Sequence, residues 1–164
     1  MRIHPVFLSI ALTLAANSAA TNELIPRPAG LEEEVGFWHS IFTHYSSRQG
    51  VIHDDRHLGV VYGVIEIPEG ASRKQRKRLY DKAASGYKAS LSRLAKRGES
   101  RPGGEDARIL GLWPKDVTSE ELLKARTRLR MQQGLSDRFL KGLSRSGKWR
   151  EHIEAVLKRE GVPR

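Results

Sequence analysis

Residues Phe37 to Ile67 read FWHSIFTHYSSRQGVIHDDRHLGVVYGVIEI, a dense run of aromatic and β-branched side chains that decides the fold class. Its first part has helical periodicity. Phe37, Ile41, Phe42 and Tyr45 recur at spacings of three and four, which aligns them on one helical stripe. Glu32, Glu33 and Glu34 just upstream suit the positive end of such a helix, and Gly50 is its expected break. Val51-Ile52, then Val60-Val61-Tyr62 with Val64-Ile65, predict two short strands. The polar tetrad Asp54-Asp55-Arg56-His57 between them is the expected turn. A lone two-stranded hairpin is marginal in water, so this one has to lie against helices.

Upstream, residues 1–20 have the pattern of an export signal. Arg2 supplies a positive start, Val6 to Ala16 an apolar stretch, and Ser18-Ala19-Ala20 a small-residue cleavage site before Thr21. The apolar stretch is too short to span a bilayer. The expected location of the mature chain is therefore the periplasm, with cleavage between Ala20 and Thr21. Residues 21–30, with the prolines of IPRPAG, read as an extended linker.

Downstream, Pro68-Glu69-Gly70 closes the hairpin as a turn. Ala71 to Arg97 predicts the longest helix, with Leu79, Ala83, Tyr87, Leu91 and Leu94 on its apolar stripe. Gly98 to Gly104 reads as a flexible loop between two helical lobes. Asp106 to Trp113 predicts a short helix ended by Pro114, burying Ile109, Leu110 and Trp113. Thr118 and Glu121 form a capping box for a helix that runs to about Gln133, buries Leu122 and Leu129, and stops at Gly134. Ser136 is the expected cap of a helix holding Phe139, Leu140 and Leu143, and Trp149, Ile153, Val156 and Leu157 mark a last helix closed by Gly161-Val162-Pro163. The fold class is mainly α: residues 31–164 form one domain of helices in a helical-hairpin arrangement, with one small β-hairpin near residues 50–67.

Composition narrows the chemistry. Of 164 residues, none is cysteine, which excludes disulfides, thiolate metal sites and a lipidated N-terminal cysteine. Removing Arg2 with the leader leaves 28 cationic side chains against 19 carboxylates, a net +9. Such a chain attracts anions. In an exported protein these are anionic envelope polymers and lipid head groups rather than nucleic acid. Arg73, Lys74, Arg76, Lys77 and Arg78 are the candidate anion-binding patch, with a solvated helix face as the alternative. No run after the leader is long and apolar enough to predict a transmembrane helix.

There is no phosphate-cradling glycine loop and no His-Glu-x-x-His zinc motif. His39, His44, His53 and His57 are close in sequence, but His39 and His44 are five apart and fall on different helix faces, so no metal site is expected. No cofactor is implied either. Asp54-Asp55 sits in one turn, whereas a sugar-cleaving carboxylate pair has to face across a cleft. Trp113 and Trp149 lie on apolar stripes and are assigned to the core rather than to sugar stacking.

Two segments carry a family resemblance. FWHSIFTHYSSRQGVIHDDRHLGVVYGVI, from Phe37, and the closing RLRMQQGLSDRFLKGLSRSGKWREHIEAVLKREGVPR resemble the region preceding the catalytic domain in exported lytic murein transglycosylases of the membrane-bound D type. The VIHD turn and the Gly-Leu-Ser-Asp-Arg-Phe, Ser-Gly and Gly-Val-Pro punctuation are its most specific parts, and it spans about Leu31 to Arg164. In that family a goose-lysozyme-like domain follows. Its single glutamate, with a raised pKa, acts as acid and then base to cleave the MurNAc–GlcNAc bond to a 1,6-anhydro product. No position here matches that glutamate, so the resemblance implies no catalytic residue.

The resemblance thus implies a truncated, cell-wall-associated, non-catalytic module that is inactive alone. Its expected partner is peptidoglycan or a catalytic lytic transglycosylase domain. The charge supports a different reading, a stand-alone basic adaptor for anionic envelope polymers or lipid head groups.

Overall fold

The computed structural model describes residues 30–96 and 101–162. The leader, its Ala20–Thr21 cleavage point and all of the linker but Gly30 lie outside the described residues, as does part of the loop after residue 97.

The first helix, α1 (Glu32–Thr43), starts with Glu32, Glu33 and Glu34 in its first turn. It buries Phe37 and Ile41, while Phe42, assigned to the same stripe, stays on the surface. It ends well before Gly50, where the Tyr45 N–H turns back to the Ser40 carbonyl at 3.1 Å. Gly50 lies instead within β1 (Gln49–Asp54), and the chain returns antiparallel in β2 (Val61–Glu66), with Gln49 opposite Glu66 and Val51 opposite Val64. The connection between them is residues 55–60, which holds three of the four tetrad residues; Asp54, the first, belongs to β1.

From Gly50 to Asp54 every residue of β1 is buried, because the strand has a core on each face. Val51 packs with Phe37 and Ile41 under α1. Ile52 points the opposite way, as alternation requires, into the main core with Val60 and Tyr62. The long helix α2 (Arg73–Lys96) lays Ala84, Leu91 and Leu94 on that core. The short α3 (Gly104–Leu110) adds Ile109, with Trp113 just beyond, and α4 (Ser119–Arg128) adds Leu122 and Ala125. One shared core therefore joins α2 to α3 and α4, and the glycine-rich segment does not divide the protein into lobes.

The sequence carries the α4 helix to Gln133; the structure ends it at Arg128. Leu129–Gln133 is β3, which pairs antiparallel with the free edge of β1, Asp54 opposite Leu129 and Gly50 opposite Gln133. The sheet order is β2-β1-β3. The physical reason lies in β1: a strand buried on both faces cannot leave one edge of N–H and C=O groups unpaired. Leu129 and Met131, two apart, face the main core.

The chain then passes beneath α1. Gly134 does not stop a helix; it lies so close to the Tyr45 and Ser46 carbonyls that a Cβ would collide with them. Ser136 opens α5 (Ser136–Gly147) from inside its first turn and does not cap it, since the N-cap position is Leu135. Its N–H donates to the Tyr45 carbonyl at 2.9 Å. The last helix, α6 (Arg150–Arg159), buries none of its residues. It ends as the sequence predicts: Gly161 has φ +69 and the Val162 N–H reaches the Leu157 carbonyl at 2.9 Å. No described helix is long and apolar enough to cross a membrane.

Candidate functional site

Three features outside the core have chemical potential. The first is the β1–β2 turn. Asp54 is fully buried; its Oδ1 accepts the Arg56 and His57 N–H groups at 2.9 and 3.0 Å, and its Oδ2 accepts Arg128 Nε at 3.0 Å. Arg128 also holds Glu121 Oε1 at 2.8 Å, and His57 Nε2 lies 3.4 Å from the same oxygen. Thr118 caps α4 by accepting the Glu121 N–H at 3.1 Å. Only that half of the predicted capping box forms. The Glu121 carboxylate pairs with the guanidinium instead, a charge-assisted contact that outweighs a neutral N–H.

A cavity of about 570 Å³ opens beside this cluster, lined by Glu33, His57, Trp113, Asp116 and Glu121 among others. Arg128 holds the Glu121 carboxyl below the usual carboxylate range. Glu105, Asp106 and Asp137 are shifted the same way, by hydrogen bonds from Arg108, Arg93 and Ser47 respectively. A general acid needs the opposite shift. Asp54 builds the turn and its buried ion pair; Asp55 pairs at the surface with Arg130 at 3.0 Å.

The histidines are scattered. His39 and His44 are closer than helix spacing predicts, with ring centroids 5.7 Å apart, because His44 lies beyond the end of α1. His53 is buried against Phe37 and its Nδ1 lies 2.9 Å from the Asp54 carbonyl. Among the described residues no three metal-ligating side chains converge.

The second feature is cationic. The α2 helix divides the predicted basic cluster: Arg73, Arg76 and Lys77, together with Tyr80, face a cavity of about 510 Å³ whose other wall is Leu129, Arg130 and Met131 of β3. Lys74 and Arg78 are exposed and line no cavity with them. Arg76 also borders a second cavity, of about 440 Å³, with Arg48, Arg138 and Lys141. Sequence reasoning missed Arg48, Arg130, Arg138 and Lys141. Their approach depends on β3 and on the return of α5, which no local pattern records.

The third feature is apolar. Trp149, assigned from the sequence to the core, is 64% exposed, and Leu140, Leu143 and Ile153 are about half exposed or more. Trp113 does lie in the core. The exposed rings of Trp38, Phe42 and Phe139 form a chain, with centroids 6.3 and 5.6 Å apart, that joins α1 to α5.

No protein-family model, curated protein or solved structure matches the chain.

Proposed function

We propose that this chain is the non-catalytic helical module of an exported, cell-wall-associated peptidoglycan lyase, and that the outer faces of α5 and α6 dock on a catalytic domain of the lytic transglycosylase type. The observation that carries this reading is the exposure of Leu140, Leu143, Trp149 and Ile153 along two consecutive helices. Large apolar side chains left exposed at several positions of consecutive helices offer a surface on which a partner can pack. The occupant follows from the family resemblance, in which this segment leads directly into the catalytic domain.

The test is to mix the purified chain with a separately produced goose-lysozyme-like catalytic domain and measure association by sedimentation. The expected result is a complex that Leu143→Glu with Ile153→Glu abolishes while the thermal unfolding of the chain is unchanged. No complex, or one indifferent to both substitutions, would overturn the docking. Alone, the chain should release no 1,6-anhydro muropeptides from peptidoglycan; their release would overturn the non-catalytic assignment.

A further inference from the structure

We propose that the two cationic cavities meeting at Arg76 form one binding site for a linear, soluble polyanion carrying phosphate groups in series. This site is distinct from the apolar docking face and does not depend on it. Arg73, Lys77 and Arg130 border one cavity, and Arg48, Arg138 and Lys141 the other, with Arg76 common to both. Lys77 and Arg130 have surface carboxylate partners, Asp81 and Asp55. Among the described residues, Arg48, Arg73, Arg76, Arg138 and Lys141 pair with no carboxylate. Two carboxylates, Glu69 and Asp137, line the second cavity. Asp137 is already engaged by the Ser47 N–H and hydroxyl at 2.8 and 2.6 Å.

The shared guanidinium is held in place. Arg76 Nε donates to the Ala71 carbonyl at 2.9 Å and Nη1 to Gln133 Oε1 at 3.2 Å, while Gln133 itself donates to the Ser47 carbonyl. These bonds leave Nη2 for a ligand, and a donor already oriented loses little freedom on binding. The cations also crowd the first turn of α2, which has no acidic residue, against the helix dipole; a bound anion relieves that repulsion.

Two cavities with one guanidinium between them suit a ligand with successive charges, and arginine forks match phosphate oxygens. The walls between the cations, Tyr80, Leu129 and Met131 on one side and Ile67 and Pro68 on the other, accommodate a carbon backbone joining the phosphates. The charges line recesses rather than one convex helix face, which favours a chain that threads them over a flat lipid surface.

The experiment titrates the purified chain with poly(glycerol phosphate), with orthophosphate, and with phosphatidylglycerol vesicles, which present the same head group on a membrane. At about 0.15 M salt the polymer should bind at least roughly 100-fold more tightly than orthophosphate, through linked contacts. Arg73→Gln with Arg76→Gln, and separately Arg138→Gln with Lys141→Gln, should each weaken it by roughly tenfold or more. Lys74→Gln with Arg78→Gln removes the same charge outside the cavities and should change affinity by less than about twofold. Among the described residues the side chains of Arg138 and Lys141 have no hydrogen-bond partner, so that pair tests the site even if loss of Arg76 disturbs folding. Equal weakening by all three pairs would reduce the site to general charge attraction and overturn the proposal. Binding of vesicles without binding of the soluble polymer, or binding of single-stranded DNA of equal charge tenfold more tightly than the polymer, would overturn it too.

Discussion

The Asp54 end of β1 and the two C-terminal helices obey opposite rules. Around the strand, charge itself is buried: Asp54 has no exposed surface, and its oxygens are taken up by two N–H groups and a guanidinium. On α5 and α6 the large apolar side chains are outside, and α6 buries no residue at all. Burying a charge is tolerated only where every partner is fixed, whereas exposing apolar surface costs little stability and leaves a contact to be made. The strand region is thus built to hold a shape, and the C-terminal helices to present one.

The sharpest way to break this contrast is at Arg128. Arg128→Met leaves the Asp54 carboxylate buried without its cation, and should cost about 3–5 kcal/mol in urea unfolding. The double variant Asp54→Asn, Arg128→Met removes the orphaned charge while keeping an oxygen for the Arg56 and His57 N–H groups, and should recover most of the loss. If Arg128→Met alone unfolds like the parent chain, the strand end is not the rigid element the contrast requires.

The same division explains what could be read in the sequence. Features set by neighbouring residues were legible: the turn at Asp54, the Thr118 cap, the strands around Val51 and Val61, the closing turn at Gly161. Features set by distant ones were not. Leu129–Gln133 contains Leu, Arg, Met and Gln, all good helix formers, and only the empty edge of β1 makes it a strand. Gly134 reads as a helix stop until the Tyr45 and Ser46 carbonyls are seen against it. Trp149 sits on a regular apolar stripe, which looks the same in sequence whether it faces a core or solvent. Helical spacing does put Arg73, Arg76 and Lys77 on a different face from Lys74 and Arg78; what it cannot supply is Arg130 across the groove or Arg138 and Lys141 from α5.

A smaller effect tests the strand region through pH. Burial against Phe37 lowers the His53 pKa below the usual imidazole value of about 6.5, since desolvation outweighs the neighbouring Asp54 and Asp55. The native chain then keeps this ring neutral at pH values where the unfolded chain protonates it. Stability is fully present above about 6.5 and falls as pH drops from there to the native pKa. Thermal unfolding should show this decline on acidification from about pH 7.5 to 5, and His53→Gln should flatten it. An unchanged slope in His53→Gln would mean that the ring is hydrated and the strand region less closed than its burial indicates.

The smallest expected effect belongs to the other half of the comparison. Trp149→Gln and Leu143→Gln remove side chains that are already more than half exposed, so each should change unfolding free energy by less than about 0.5 kcal/mol. In a core, truncating a large apolar residue typically costs about 2–5 kcal/mol, the size expected for Leu122→Ala on the buried face of α4. Hydrogen exchange supplies the matching profile: amides of β1, bonded on both edges, should exchange only with global unfolding, and those of α6 much faster. A loss of several kcal/mol at Trp149, with slow exchange throughout α6, would mean that this helix is held as tightly as the sheet, and that its apolar side chains stabilise the isolated chain rather than await a partner. Unchanged stability together with loss of association would assign those same side chains to contact alone.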